Sequence, residues 1–282
     1  MGIRTDLVID TSDTLKEDIK GADIRTENRG KIKITKTHIT DDGAAERFKK
    51  PKGKYITIEF PPIDRLTEYG SIEKAITDSL CELLPKNREK LLAVGLGNTD
   101  ITADSIGPDT ISGILATRHL VGGFAESIGL KGLKSVAAIA PGVLGKTGIE
   151  VMELVAGAAE RIKPSAVIVI DALASGSSSR LFTTVQLCDT GISPGSGVKN
   201  SRKEISEKTL GIPVIAVGVP TVVDASALAF ELTGREPENY GEMIVTPKDI
   251  DVLSKHMSEI LSRALNVFFQ PEIEPNVLFS LV

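Results

Sequence analysis

The sequence predicts an α/β protein whose mainly parallel sheet is flanked by helices on both faces, with an added antiparallel β-ribbon near the N-terminus. From Leu91 onward, short runs rich in Val, Ile, Leu and Ala alternate with segments of helical period, the pattern of strand and crossover helix in a parallel sheet. Upstream of that point, two segments alternate apolar and polar residues with the period of a half-buried strand. The expected organisation is one unit over 1–282, with the ribbon at 28–62 and the α/β core at 88–268.

Taken in order, Lys31 to Ile39 sets Ile32 and Ile34 on one face, and Lys54 to Phe60 does the same with Ile56, Ile58 and Phe60. The polar stretch Thr40 to Gly53 reads as the loop between them. Ser71 is placed to cap a helix that carries Ile72, Ala75, Ile76, Leu80 and Leu83 on one face and ends at Pro85. Strand 91–97 leads to a helix with Pro108 in its first turn, where the missing N–H costs nothing, and Arg118 and His119 are expected on that helix. Strand 135–140 leads to a helix opened by the capping box Thr147-x-x-Glu150. Strands 166–171 and 213–219 follow, and a last helix starting at Thr246-Pro247 lines up Ile250, Leu253, Met257, Ile260, Leu261, Ala264 and Leu265.

Composition excludes several functions. With 282 residues, 41% of them hydrophobic, the chain buries a sizeable core. A net charge of −5 opposes general binding of nucleic acid, which needs a dense basic face to displace counterions. Cys81 and Cys188 have no metal-type spacing and fit a reducing, cytoplasmic compartment. The N-terminus puts Arg4 and Asp6 where a signal peptide needs an apolar run, and no stretch approaches the roughly 20 apolar residues of a membrane span.

The candidate chemistry lies in two acids that follow apolar strands. Leu92 to Asn98 opens into Thr99 to Pro108, which carries Asp104, and Val167 to Ile170 runs directly into Asp171. Ligands gather at the carboxyl ends of parallel strands, so acids leaving neighbouring strands converge on one substrate bond. Gly95, Gly97 and Gly107 let backbone approach closely around them. Asn98 has two readings, as a donor to a developing oxyanion or as a residue that orients Asp104, and the second is preferred. Gly97, Ser175 and Asp189 are further supporting candidates, and the loop Gly191 to Ser206 offers Lys199, Arg202 and Lys203 for an acidic ligand.

Other motifs compete. Ala140 to Thr147 sits between a strand and a helix like a phosphate-cradling loop, with Gly145-Lys146-Thr147 at its end and Asp171 as a magnesium-side acid. Against it, Ala140 stands where the pattern has its first glycine, and Pro141 removes an N–H from the anion nest. Asp189-Thr190-Gly191 matches the triplet of pepsin-like proteases, which need two copies in an all-β fold. Gly176 to Ser179 and Gly195-Ser196-Gly197 lack a nucleophile elbow. His38, His119 and His256 do not pair at metal-ligand spacing, and no metal or cofactor is expected.

The chain resembles the spore germination proteases, endopeptidases that degrade small acid-soluble spore proteins when a spore germinates. The resemblance is carried by Arg4-Thr5-Asp6-Leu7, Gly95-Leu96-Gly97-Asn98 with Asp104 to Pro108, Arg118-His119-Leu120 and Ala140-Pro141-Gly142-Val143. It continues through Ile170 to Ala174, Asp189-Thr190-Gly191 and Gly218 to Ala225. That family is similar in core fold to the hydrogenase maturation proteases. The resemblance implies that Asp104 and Asp171 are the catalytic pair. It also implies a homotetramer, a zymogen, a place in the spore core, and cleavage after an acidic residue within an acidic recognition sequence. Family members carry a propeptide before the Arg-Thr-Asp-Leu stretch. Met1, Gly2 and Ile3 precede it here, so activation by loss of a long segment is not the expectation. Hydrogenase maturation proteases bind metal with help from a histidine on a later strand. None occurs from Asp189 to Asp224, which favours a metal-independent carboxylate pair.

Overall fold

The computed structural model describes residues 5–15, 19–66, 69–84, 88–120, 132–193, 203–235 and 243–281. Chain order runs α1 (Val8–Leu15), β1 (Ala22–Arg29), β2 (Ile32–Ile39), α2 (Asp42–Phe48), β3 (Gly53–Glu59), α3 (Gly70–Leu83) and β4 (Lys90–Gly95). It continues with α4 (Ile106–Ser112), β5 (Ser135–Ile139), the single turn α5 (Leu144–Thr147), α6 (Val151–Ile162), β6 (Ala166–Ser175) and β7 (Thr184–Cys188). The rest is α7 (Glu207–Leu210), β8 (Val214–Asp224), α8 (Ala225–Thr233), β9 (Ile244–Val245), α9 (Ile250–Phe269) and α10 (Pro275–Phe279).

The strands form one sheet in the order β1-β2-β3-β7-β8-β6-β4-β5, with β9 paired to β8. Strands β8, β6, β4 and β5 are parallel, and everything from β7 outward to β1 is antiparallel. The antiparallel part is therefore a continuation of the main sheet through the β3–β7 pairing. Its outer strand β1, Ala-Asp-Ile-Arg-Thr-Glu-Asn-Arg, is exposed along nearly its whole length and has no buried stripe for a periodicity argument to detect.

Both faces of the parallel strands are buried, as crossover helices require. Leu91 and Ala93 of β4 pack with Ile168 and Ile170 of β6 under α3, α4 and α9, where Ile72, Ile76, Ile106, Met257, Ile260, Leu261 and Leu265 complete the cluster. Leu92, Val94, Val167 and Val169 face the other way against Val151, Val155 and Ala159 of α6. On that second face, α1 and α2 cover the antiparallel side with Val8, Ala44 and Phe48 against Tyr55, Cys188 and Ala216.

Several local expectations change. Helix α3 opens at Gly70, with the Ile72 and Glu73 N–H groups bonded to the Tyr69 carbonyl, so Ser71 lies inside the first turn and caps nothing. Pro85 lies outside the described residues. The capping box does not form: Thr147 ends α5, its hydroxyl accepts from the Ile149 N–H, and α6 starts after Glu150 without a side-chain cap. Helix α4 stops at Ser112, leaving Arg118 and His119 in a turn. Thr246 donates to the Thr221 carbonyl at 2.9 Å after the short strand β9, which delays α9 to Ile250. Strands β6 and β8 run on to Ser175 and Asp224, beyond the ends that the apolar runs mark.

Candidate active site

The site begins where β4 stops. Its last pairing with β6 is Gly95 to Ile170, followed by one hydrogen bond from the Leu96 N–H to the Ile170 carbonyl at 2.8 Å. β6 continues past this point with β8 on one side, so Asp171 stands at the step left by its neighbour and not at the end of its own strand. The chain leaving β4 then folds back. Asn98 N–H donates to the Asp104 carbonyl at 2.9 Å, Asp104 N–H donates to the Ile101 carbonyl at 2.7 Å, and Thr221 Oγ1 donates to the Ala103 carbonyl at 2.6 Å. The short turn 102–104 is thereby laid against β6 and β8.

Two glycines make this return possible. Gly97 has φ +123°, and a Cβ on it would collide with the Asp104 carbonyl oxygen. At Gly107 a Cβ would sit 2.6 Å from the Leu96 nitrogen and 2.7 Å from the Ile170 carbonyl oxygen. The first turn of α4 is thus pressed directly onto the backbone of the β4–β6 step. Pro108 stands in that turn as the sequence requires.

Asp171 is 7% exposed, and its Oδ1 accepts the Ala172 N–H at 2.9 Å. Asp104 is half-buried on the returning turn, which touches β6 and β8. Across the sheet, Asp171 pairs with Gly218, and Gly218 pairs with Gln186 of β7. The missing side chain at Gly218 is replaced by that of Leu173, which fills the space a Cβ would need.

The remaining candidates fall in different places. Asn98 stays in the loop: its Oδ1 accepts the Asp100 N–H at 3.1 Å, and its main-chain N–H donates to the Asp104 carbonyl. Ser175 is buried at the end of β6, where its Oγ lies 3.4 Å from Asp10 Oδ2 and donates to the Ser177 carbonyl at 2.9 Å. It belongs to the cluster in which Arg180 joins Asp10, Asp13 and Glu59. Asp189 is placed away from the step. Its Oδ1 accepts the Lys54 N–H of β3 at 2.8 Å, just past the end of β7, which β8 separates from β6. Burial pushes the neighbouring Cys188 thiol up from its ordinary value, as expected of an unreactive core cysteine.

Lys203 is exposed and 3.5 Å from Glu153, while Lys199 and Arg202 lie outside the described residues. Ile192 and Ile205 form an antiparallel bridge, and Ile192 packs against the Leu7, Ile9 and Leu173 cluster. The phosphate-loop motif does not take its expected form. Gly145, Lys146 and Thr147 make up one turn that Gly148 ends with φ +70°, and Lys146 pairs with Asp100. His38 faces Asp23 across the β1–β2 ladder, and His256 packs on Tyr69 with ring centroids 6.1 Å apart. Among the described residues, no group of three or more His, Cys, Asp and Glu side chains gathers to hold a metal, and no helix is long and apolar enough to cross a membrane.

Sequence reasoning passed over Gln186, and it gave Thr5, Asp6 and Leu7 as family motif residues without a place at the site; both lie on the same sheet face as Asp171. One signal was available for the first: Gln186 is the polar interruption in the buried run Val185 to Cys188.

The molecule is an α/β protein with a mixed sheet, parallel in its core strands β8, β6, β4 and β5, and a candidate acid stands at the step between two of them. Comparison with known proteins narrows this. The sequence model described as "Germination protease" matches residues 4–233, and the chain belongs to that family of proteases. A germination protease of Caldanaerobacter subterraneus subsp. tengcongensis is 40% identical, covering 96% of this chain and 95% of that protein. One from Clostridium tetani is 37% identical and covers 97% of each. One from Geobacillus sp. is 43% identical over 80% of this chain and 65% of its own length. Among solved structures, a [NiFe] hydrogenase maturation protease from Thermococcus kodakarensis aligns with 68% of this chain and 98% of its own, at TM-score 0.36 and 14% identity.

Proposed function

We propose that this protease is an endopeptidase of germination that degrades small acid-soluble spore proteins in the spore core, cutting after acidic residues with Asp104 and Asp171 as its catalytic pair. The observation that carries the reading is the β4–β6 step, which sets Asp171 at the open edge of β6 and brings the Asp104 turn back onto the same place. Two carboxylates sharing a site do not both ionise cheaply, so one keeps its proton and the pair titrates as a unit.

The ionised member takes a proton from water as the water oxygen adds to the peptide carbonyl carbon. The protonated member donates to the carbonyl oxygen, and the tetrahedral intermediate collapses as the C–N bond breaks and the leaving nitrogen takes the proton that the first carboxylate removed from water. Asn98 holds the Asp104 turn in place through the main chain. Lys199, Arg202 and Lys203 follow Ile192 in the sequence, and they supply positive charge to an acidic substrate. The family resemblance supports a homotetramer as the working assembly.

The test is digestion of purified small acid-soluble spore protein with cleavage sites read by mass spectrometry. Cuts confined to positions after Asp or Glu support the reading. An intact substrate, or cuts without regard to acidic residues, contradicts it.

A further inference from the structure

Thr5 to Ile9 lie across the sheet face that carries Asp171, held as a bound peptide is held. The Asp6 N–H donates to the Ala174 carbonyl at 2.9 Å, and the Ala174 N–H donates to Asp6 Oδ2 at 2.9 Å. Gln186 grips the next stretch: Nε2 donates to the Asp6 carbonyl at 3.0 Å and Oε1 accepts the Val8 N–H at 2.7 Å. A side-chain amide engaged at both ends by main-chain atoms recognises peptide and not sequence.

The acidic side chain is read separately. Lys50 Nζ lies 3.9 Å from Asp6 Oδ1, with the two side chains only 20% and 13% exposed. Leu7 and Ile9 pack on Leu173. Gln186 is 7% exposed and stands level with Asp171, with only Gly218 between them. A buried glutamine costs stability unless its amide is bonded, and here peptide main chain bonds it.

We propose that Lys50, Gln186 and the Ala174 main chain form a subsite that holds an acidic peptide next to Asp171, occupied in this structure by Thr5 to Ile9. The inference rests on Asp104 and Asp171 being the catalytic pair. Lys50 discriminates acid from amide, and Gln186 holds whatever peptide is present.

The test uses the full chain and two fluorescent peptides that differ only in Asp against Asn at one position. Their kcat/KM values are measured with the wild type and their Kd values with Asp171→Asn, which reads the subsite without cleavage. Lys50→Met should lower the Asp-over-Asn ratio by about fivefold, as loss of a partly screened ion pair predicts, and Lys50→Arg should retain most of it. Gln186→Leu should raise KM and Kd for both peptides about tenfold, with kcat and the ratio unchanged, as loss of two hydrogen bonds predicts. A ratio untouched by Lys50→Met, or a KM within twofold of wild type in Gln186→Leu, overturns the proposal. So does failure of both peptides to bind Asp171→Asn once Asp6→Ala has also loosened the resident segment. Should Gln186→Leu not fold by circular dichroism, the Lys50 variants decide alone. Lys50-dependent binding combined with undiminished cleavage by Asp171→Asn would sink the catalytic pair and leave the subsite standing.

Discussion

Gly97→Ala isolates the geometry that brings Asp104 to the β4–β6 step. Ordinary contact for a Cβ begins near 3.4 Å, and at this position it falls well inside that distance from the Asp104 carbonyl oxygen. Backbone and not a flexible side chain stands in the way, so the turn carrying Asp104 must retreat by about 1 Å, a displacement that costs on the order of 100-fold in rate when it moves a reacting group. Stability falls too. An alanine held at φ +123° is strained by about 1–3 kcal/mol, and the 2.9 Å bond from Asn98 to the Asp104 carbonyl is weakened by about 1 kcal/mol. At about 2–4 °C per kcal/mol, the melting temperature should drop by roughly 5–15 °C. Gly145→Ala is the matched control, because nothing lies within 4 Å of its Cβ and the residue is helical. The assay is kcat on an acid-soluble spore protein fragment alongside calorimetric melting. Wild-type kcat in a folded Gly97→Ala protein would refute the idea that Asp104 must sit against the step.

Other consequences are independent of that glycine. Activity should survive prolonged chelation, since the described acids gather no ligand set; inactivation by chelator with recovery on added zinc would reassign Asp104 and Asp171 as metal ligands. Raising salt should slow cleavage of an acidic peptide more than a neutral one, with Arg202→Glu and Lys203→Glu weakening that preference through KM; an unchanged preference would remove the loop from substrate recognition. Burial lifts the Glu73 carboxyl above its ordinary value, partly offset by Arg263 at 3.0 Å. A raised acid contributes stability at low pH that is lost as pH rises through its folded value, so Glu73→Gln should gain melting temperature relative to wild type as pH is raised from below the ordinary carboxylate range to neutral. A gap that is flat with pH would show that the burial is not felt by the carboxyl.

Strong periodicity made the parallel core legible: Leu91 to Val94, Val167 to Ile170 and the α9 stripe lie where their patterns put them. Strand β1 was not legible because sheet pairing alone, without a buried face, holds its eight residues. The extent of β6 escaped detection for a related reason. Asp171 looks like an end in sequence, yet β8 pairs with the strand through Ser175. The two acids could be picked out by their positions after apolar strands, whereas Gln186 and Lys50 could not. Their partners lie far away in sequence, at Asp6 and Val8, and no local pattern joins them. The capping box and the phosphate loop failed together, because Gly148 ends the α5 turn before either motif has a helix to act on.

The central claim is that two aspartates meeting at one strand step cut the peptide bond. Its most direct measurement is turnover of acid-soluble spore protein by Asp104→Asn and Asp171→Asn, each shown by circular dichroism and melting to be folded. Each substitution keeps the shape of the side chain and removes the titrating proton. Both variants should lose cleavage by at least about 1,000-fold, as removal of a general acid or base demands. Wild-type turnover in either folded variant would contradict the account.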